Sequence, residues 1–236
     1  MTRPASRVEA VLFDAGNTLI YVDPERLAAL LRNVGAETVT TQAVADAERD
    51  ARRLIHAAVA DGHTGTEPEV WREYFLRLFR DSGVPPALLG AAGDSLRATH
   101  RADHLWTHVA PGTLEALEEL RDAGIRLAVI SNADGRVEGV LERVGLRGWF
   151  EFVLDSEIVG VTKPDPAIFL EGCGRLGLEP AACLYVGDLL PVDYVGATAA
   201  GLQGVLLDPF GIHAGAAPTV KRLADLPAWV AETVGN

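Results

Sequence analysis

Polar side chains of the kinds that bind phosphate follow four apolar runs along the chain. They are Asp14 after VLF, Ser131 and Asn132 after LAVI, Lys163 in the loop that follows FVL, and Asp188 and Asp193 in GDLLPVD after LYV. If the apolar runs are parallel strands, their carboxyl ends meet at one edge of a sheet, which is where open α/β sheets bind ligands. We therefore expect these side chains to converge on one site.

Carboxylates, a hydroxyl, an amide and a lysine make a set that suits a phosphorylated substrate. Mg²⁺ is typically held by one or two carboxylates together with substrate phosphate, and Asp14 and Asp188 would fill this role. Lys163 would neutralise phosphate charge as a point cation, and Ser131 with backbone N–H groups would donate to phosphoryl oxygens. Asp14 would attack phosphorus and form an aspartyl-phosphate, since carboxylates are known covalent nucleophiles.

Each cluster by itself also has a structural explanation. Asp14 has the position of an ordinary turn acid, and Ser131 with Asn132 has the composition of a helix cap. Residues 163–166 are typical of a loop before a helix, and Asp193 is an acid of the kind that a helix dipole favours. The functional interpretation depends on the four clusters occurring together and in this order.

The elements that would position these residues alternate along most of the chain. Helical patterns and short apolar runs alternate from residue 112 onward, which predicts a parallel sheet with right-handed crossovers. The predicted strands cover residues 8–13, 125–130, 152–154, 183–186 and 205–207. Residues 23–104 instead predict four helices. The sequence thus predicts a doubly wound, five-stranded parallel α/β core (1–22 and 105–236) with an inserted all-α domain (23–104).

Composition limits the partners and the compartment. The formal net charge is −12, from 33 acidic and 21 basic residues, which disfavours nucleic acid and anionic membranes as partners. No apolar run reaches the ~20 residues of a membrane span. The first residues lack the pattern of a signal peptide, so we expect a cytoplasmic protein. The predicted partner is a small phosphorylated metabolite, and the oligomeric state stays open.

The motifs DAGNTL, VISNAD, TKPDPAIF and VGDLLPVDYVGA, in this order, resemble those of the haloacid dehalogenase (HAD) superfamily. The resemblance covers nearly the whole chain and includes a helical insertion just after the first motif, the class I cap position. RLAVISNADGRVEGVL and FEFVLDSEIVGVTKPDPAIF most resemble the group called haloacid dehalogenase-like hydrolase domain-containing proteins. The superfamily comprises phosphatases, phosphonatases, phosphomutases and dehalogenases, so the resemblance implies a Rossmann-like core and a type of active site without specifying a substrate.

The resemblance implies a Mg²⁺ site made of groups from the first and fourth motifs. Asp14 would be both nucleophile and metal ligand, and Gly16 would contribute its backbone carbonyl. Asp188 would bind the ion directly, and Asp193 would bind it directly or through water.

The resemblance also implies a substrate site beside that metal. Lys163 would bridge the nucleophile and the phosphate, and Ser131 would bind the phosphate next to Asn132. Ala15 and Thr18 would complete the loop that contacts the substrate.

Gly16 departs from the phosphatase pattern. Family phosphatases usually read D-x-D-G-T, where the second Asp protonates the leaving group and activates the hydrolytic water. In this chain Gly16 takes that position, and Asn17 follows where glycine is usual. General acid–base assistance is typically worth ~10²–10⁴-fold in rate. The sequence therefore predicts a slow phosphatase, unless a residue of the insertion substitutes for the missing acid.

Three alternatives follow from this departure. A 2-haloacid dehalogenase also lacks the second Asp, but it works without metal and has little use for Asp188 and Asp193. A phosphonatase of this superfamily needs a cap lysine for a Schiff base, and residues 23–104 contain none. A catalytically weak or inactive binding protein with the same fold stays open, although the other motif residues are all present.

Overall fold

The computed structural model describes residues 7–63 and 67–234 of the 236-residue chain. The chain divides into two compact units, one from residues 1–20 and 109–236 and the other from residues 21–108. The first contains the parallel sheet, and we call it the α/β unit. The second contains the predicted insertion, residues 23–104, and we call it the helical unit.

Most of the strands that the structure describes belong to the α/β unit. In chain order the strands are β1 (Ala10–Phe13), β2 (Tyr21–Val22), β3 (Trp106–His108), β4 (Arg126–Ser131), β5 (Val153–Asp155), β6 (Cys183–Gly187), β7 (Gln203–Leu207) and β8 (Thr219–Val220). All four residues of β1 are buried. Burial of every residue is expected for a strand whose two faces are both covered in a parallel sheet.

The sheet of the α/β unit has the strand order β5-β4-β1-β6-β7-β8. Every neighbouring pair is parallel. Phe13, the last residue of β1, lies opposite Val129 of β4 and Val186 of β6. The carboxyl ends of these three strands therefore meet in the middle of one sheet edge. This confirms the predicted doubly wound parallel architecture and places three of the four polar clusters at adjacent strand ends.

Helices connect the strands and fill the helical unit. In chain order those in the described part of the chain are α1 (Pro24–Asn33), α2 (Thr41–Ala60), α3 (Pro68–Asp81), α4 (Leu89–Ala102), α5 (Thr113–Asp122), α6 (Val137–Arg143), α7 (Ser156–Val159), α8 (Pro166–Leu176), α9 (Gly196–Ala199) and α10 (Leu226–Val234). Within those ranges, no helix has both the length and the apolar character needed to cross a lipid bilayer.

Acidic residues cap the N-termini of two of these helices. The Asp23 side chain accepts hydrogen bonds from two N–H groups in the first turn of α1. Asp165 accepts one from the first turn of α8. Both satisfy donors that have no partner within the helix, and proline follows each cap at the first helical position, where its fixed φ is favourable. The cap at Asp165 sets the start of α8, two residues after Lys163.

The helical unit consists of α1–α4 and a short antiparallel ribbon, β2 with β3. In the ribbon, Tyr21 lies opposite His108. Tyr74 is buried at the centre of α3, and its hydroxyl donates to Glu48 of α2 at 3.0 Å. The ribbon was not predicted, because strands of two and three residues leave no alternating pattern in the sequence.

The structure corrects the sequence prediction of the α/β unit in three places. The sheet has six strands and not five, because the two-residue β8 pairs with β7. The helix that the alternation predicts between the strands at 183–186 and 205–207 is instead a wide π-type turn, Leu190–Val195, followed by the four-residue α9. The short helix α7 after β5 was not predicted. Wide turns of this kind are frequent at functional sites, and this one contains Asp193.

Candidate active site

Asp14 follows β1 directly, and its side chain is almost fully buried. Its N–H donates to the carbonyl of Val186 at 2.8 Å, which extends the pairing of β1 with β6 by one residue and fixes the backbone at this point. One carboxylate oxygen, Oδ1, accepts hydrogen bonds from Lys163 Nζ at 2.7 Å and from Ser131 Oγ at 3.2 Å. Two of the predicted site residues are thus in direct contact with Asp14.

Lys163 lies at the centre of the cluster and is 2% exposed. Its ammonium donates to Asp14 Oδ1 at 2.7 Å, to Asp193 Oδ1 at 2.6 Å and to the hydroxyl of Tyr185 at 2.8 Å. An ammonium has three N–H donors, so these acceptors engage all of them. Such complete pairing is what allows a charge to be buried, because a buried charge without partners is very costly.

The charge state of the cluster follows from burial and pairing. Burial alone would lower the pKa of Lys163, but the carboxylates of Asp14 and Asp193 outweigh it and hold this pKa well above its ordinary value. Burial raises the pKa of Asp14; the Lys163 ammonium opposes this rise, and the Asp193 carboxylate adds to it. Lys163 therefore stays charged at neutral pH. A cation bound near Asp14 would favour the carboxylate form of that residue.

Asn132 holds the backbone of Lys163 with both ends of its side-chain amide. Its Oδ1 accepts from the Lys163 N–H at 2.8 Å, and its Nδ2 donates to the Lys163 carbonyl at 3.0 Å. This pair of bonds ties the loop before α8 to the end of β4. The side chain of Asn132 is thus engaged with Lys163, and a contact between Asn132 and substrate stays a prediction.

Asp193 uses both carboxylate oxygens within the α/β unit and is 1% exposed. Oδ1 accepts from Lys163, and Oδ2 accepts from the backbone N–H groups of Asp188 and Leu189 at 3.0 and 2.9 Å. Asp193 therefore fixes the backbone on which Asp188 stands. Asp188 itself follows β6 directly and is buried, so two acids stand at the adjacent ends of β1 and β6.

The first motif folds into a tight loop after Asp14. The carbonyl of Ala15 accepts hydrogen bonds from the N–H groups of Leu19 and Ile20 at 2.9 Å each. Asn17 has a φ of 55°, in the left-handed region that Asn tolerates better than most residues. Thr18 is fully buried and Gly16 is half-buried. The loop brings the backbone of residues 15 and 16 next to Asp14, without a carboxylate at position 16.

Tyr185 is the member of the cluster that sequence reasoning missed. It lies in the middle of β6, and its hydroxyl both accepts from Lys163 and donates to the carbonyl of Ile130 at 2.7 Å. The only signal was a residue with a polar group inside the apolar run LYV, and tyrosine is common in strands for packing reasons alone.

Comparison with known proteins agrees with this arrangement of motifs. Residues 8–201 match the sequence pattern of the haloacid dehalogenase-like hydrolases. The chain belongs to this family. This confirms the resemblance seen in the four motifs.

The HAD-like hydrolase has relatives with more specific names. It is 40% identical over 143 residues to haloacid dehalogenase-like hydrolase domain-containing protein 3 of Mus musculus, a match that covers 60% of this chain and 57% of the mouse protein. The chain thus spans less than two thirds of the length of this relative. It is 32% identical over 201 residues to a glyceraldehyde 3-phosphate phosphatase of Methanopyrus kandleri, covering 84% of this chain and 83% of that protein.

Among solved structures, the HAD-like hydrolase is similar to a 2-haloacid dehalogenase from Pseudomonas syringae pv. Tomato DC3000. The two are 25% identical with a TM-score of 0.57, and the match covers 95% of this chain and 99% of that one. Proteins named for different reactions therefore share this fold, so the fold by itself does not specify the reaction.

The donor set of this HAD-like hydrolase suits a hard divalent cation. Asp14 and Asp188 offer carboxylate oxygens at adjacent strand ends, and oxygen ligands of this kind are those that Mg²⁺ prefers. In the described part of the chain, both side-chain hydrogen bonds to Asp14 reach Oδ1, and neither reaches Oδ2. Asp193 has both oxygens engaged, which favours a role through Lys163 or through water over direct metal binding.

Proposed function

We propose that this HAD-like hydrolase is a slow, Mg²⁺-dependent phosphatase that acts on small phosphate monoesters through an aspartyl-phosphate. The observation that carries the proposal is the buried ammonium of Lys163 between the carboxylates of Asp14 and Asp193. Replacing buried ion pairs by apolar residues is often neutral or stabilising, so stability alone gives little reason to keep this cluster. Perturbed, coupled ionisable groups of this kind concentrate at functional sites.

The proposed reaction has two displacements at phosphorus. In the first, Oδ2 of Asp14 attacks the phosphorus of the ester, the bond from phosphorus to the ester oxygen breaks, and that oxygen leaves as an alkoxide or aryloxide, which takes a proton from solvent water. In the second, water attacks the phosphorus of the aspartyl-phosphate and gives up a proton to solvent, the phosphorus–Oδ2 bond breaks, and phosphate and the free carboxylate are released. One water molecule is consumed in each turnover, and Asp14 returns to its starting state.

The other residues of the cluster position groups and neutralise charge. Lys163 holds Oδ1 of Asp14 so that Oδ2 faces the substrate, and its positive charge stabilises the phosphoryl group through space. Ser131 donates to Asp14 in the structure, and we propose that its hydroxyl turns to a phosphoryl oxygen when substrate binds. Such positioning and charge stabilisation supply most of the catalysis of phosphoryl transfer.

We propose that Asp14, Asp188 and the backbone carbonyl of Gly16 hold the Mg²⁺ ion. When bound, the ion would neutralise charge on the phosphoryl oxygens as a Lewis acid. Asp193 would contribute by holding the backbone of Asp188 and by pairing with Lys163. The phosphatase names of relatives support small phosphorylated substrates as the class, and they do not identify the molecule.

Gly16 sets the expected rate. Position 16 offers no side chain to protonate the leaving alcohol or to activate the second water. Substrates with good leaving groups, such as aryl phosphates, need little protonation and should react best. The expected loss relative to an enzyme with an acid at this position is ~10²–10⁴-fold.

The test is phosphate release from a panel of phosphate monoesters that includes an aryl phosphate. The wild-type protein is assayed with Mg²⁺ and with a chelator, and Asp14→Asn serves as the catalytic blank. The fold should survive in Asp14→Asn, because Lys163 keeps its second carboxylate partner, Asp193. Asp208→Asn is a matched control: Asp208 is also buried, directly after β7, where it accepts hydrogen bonds from the backbone N–H groups of Ile212 and His213.

We expect Mg²⁺-dependent release in the wild type and in Asp208→Asn, and none in Asp14→Asn. Release from Asp14→Asn at a rate near that of the wild type would exclude Asp14 as the nucleophile. Absence of release from every ester by the folded wild type would favour the binding-protein interpretation, and chloride release from 2-chloro acids would then test the dehalogenase interpretation.

A further inference from the structure

We propose that Tyr185 is a positioning residue that holds the Lys163 ammonium in the orientation it needs to act on Asp14. The structural part of this proposal depends only on the hydrogen bonds of the site, whereas its kinetic part rests on the proposed phosphatase function. Tyr185 is 1% exposed, and its hydroxyl lies 2.8 Å from Lys163 Nζ. It belongs to none of the four polar clusters.

The hydroxyl of Tyr185 has a fixed direction because its donor and an acceptor site are both in use. It accepts from Lys163 and donates to the carbonyl of Ile130, the β4 residue immediately before Ser131. The ring packs edge to face on Phe169 of α8, with the ring centroids 5.0 Å apart. A rigid acceptor on a central strand thus faces the ammonium.

Lys163 needs such a third acceptor because its other two are similar and compete. Asp193 Oδ1 lies 2.6 Å and Asp14 Oδ1 lies 2.7 Å from Nζ, so distance and charge do not distinguish them. The ammonium ends a flexible four-carbon stem and can rotate. A bond to the neutral Tyr185 hydroxyl fixes that rotation, so that one N–H is directed at each carboxylate.

Without the hydroxyl, one N–H of the buried ammonium would lose its acceptor, which is unfavourable. The ammonium would then shift toward a carboxylate to compensate. Asp193 is the better target, because two backbone N–H groups hold its other oxygen in place. A shift toward Asp193 weakens the bond to Asp14 and releases the nucleophile from its orientation.

The kinetic test is Tyr185→Phe, which removes the hydroxyl and keeps the ring. We expect kcat for an aryl phosphate to fall on the order of tenfold, the size expected for one hydrogen bond to a charged group. KM should stay within about twofold, since an interaction that acts mainly in the transition state affects kcat and leaves KM nearly unchanged.

The matched control is Tyr74→Phe in the helical unit. Tyr74 is also 1% exposed, and its hydroxyl donates to the carboxylate of Glu48 at 3.0 Å. Both variants lose one buried hydrogen bond to a charged group, so a purely structural effect would lower the melting temperature in both. Only Tyr185→Phe should lower kcat. Equal kcat in Tyr185→Phe and the wild type, or a raised KM with kcat unchanged, would overturn the kinetic part.

The structural test observes the ammonium directly and needs no activity. The chain has only two lysines, Lys163 and Lys221, so protein labelled with ¹⁵N-lysine gives at most two side-chain ammonium signals. Lys221 is exposed, and Lys221→Arg removes its signal and assigns the other to Lys163. In the wild type we expect a Lys163 signal whose hydrogens exchange slowly with water.

In Tyr185→Phe the Lys163 signal should shift and its hydrogens should exchange faster, whereas Tyr74→Phe should leave it unchanged. An unaltered Lys163 signal in Tyr185→Phe would overturn the positioning role. If the wild type hydrolyses no ester, the proposed phosphatase function fails, and the ammonium signal still decides whether Tyr185 holds Lys163.

Discussion

A single added methyl group at Gly187 should disrupt the charge cluster. Gly187 ends β6, and the carboxylate of Asp193 packs directly on its Cα. A β-carbon at position 187 would lie 2.6 Å from Cβ of Asp193 and even closer to its Cγ and Oδ2. Carbon atoms in favourable contact are about 3.5–4.0 Å apart. In a Gly187→Ala variant the Asp193 side chain must therefore move away.

The expected loss of stability follows from what Asp193 contacts. The moved carboxylate would give up its hydrogen bonds from Lys163 at 2.6 Å and from the N–H groups of Asp188 and Leu189 at 3.0 and 2.9 Å. Overpacking a core costs about 1–3 kcal/mol, and breaking a buried ion pair costs about 3–5 kcal/mol. Since Lys163 keeps Asp14 as a partner, the ion-pair loss is only partial, and we expect a total below the sum of these two costs, about 3 kcal/mol.

Urea unfolding measures this loss. If the free energy of unfolding falls by roughly 2–3 kcal/mol per molar urea, a loss of about 3 kcal/mol lowers the urea concentration at which half of the α/β unit is unfolded by about 1 M. The matched control is Gly139→Ala in α6, where an added β-carbon has no atom within 4 Å. Alanine stabilises an exposed helix interior by roughly 0.5–1 kcal/mol relative to glycine, so this control should unfold at the same or a slightly higher urea concentration.

A Gly187→Ala protein that unfolded at the same urea concentration as the wild type and kept its turnover would contradict this prediction. That result would mean that Asp193 does not occupy the position against β6 from which it pairs with Lys163. A loss of stability with normal turnover would mean that Asp193 stabilises the folded loop and has no role in the reaction.

Two further predictions concern the missing acid and a buried carboxyl of the helical unit. Gly16→Asp should raise kcat for alkyl phosphates more than for aryl phosphates, since only poor leaving groups need the proton; an equal or lower rate in the folded variant would contradict this. Burial raises the pKa of Glu48 above its ordinary 4.5, against the opposing effects of Arg52 and Tyr74. A carboxyl with a raised pKa stabilises the fold below its unfolded pKa, and this contribution is lost as pH rises through the folded pKa. In urea unfolding from pH 4 upward, the free energy of unfolding of the wild type should therefore fall relative to that of Glu48→Gln. A difference between the two proteins that does not change with pH would contradict the raised pKa of Glu48.

The convergence of the polar clusters could be predicted from simple patterns. Apolar runs alternating with helices predict a parallel sheet, and the carboxyl ends of its strands lie at one edge. Asp14, Ser131 and Asp188 each follow such a run, so they were expected at that edge, and the strand order of the structure places them at adjacent strand ends. The composition of residues 163–166 likewise predicted a loop before a helix, and Lys163 lies in the loop just before α8.

The sequence was not sufficient to predict the partners within the site, because those depend on the directions of individual side chains. The role of Asp193 near a metal stays a prediction, whereas its contacts with Lys163 and with backbone N–H groups were not predicted, because they depend on a wide turn that no local pattern indicates. Tyr185 was not recognised, since a tyrosine in a strand is ordinary and its hydrogen bond with Lys163 is visible only in the folded structure. The strand β8 is two residues long and carries no periodicity.

The formal charges of the cluster favour phosphorus chemistry with a metal over metal-free dehalogenation. Asp14, Asp188 and Asp193 carry three negative charges against one positive charge on Lys163, which leaves the cluster at −2 before any substrate arrives. An anionic substrate would be repelled by such a cluster, and the repulsion is strong where water is excluded. Binding of a divalent cation would bring the formal charge of the cluster to zero, and Asp188 would then be one of its ligands. The proposed Mg²⁺ would thus give Asp188 a role that a metal-free mechanism does not offer.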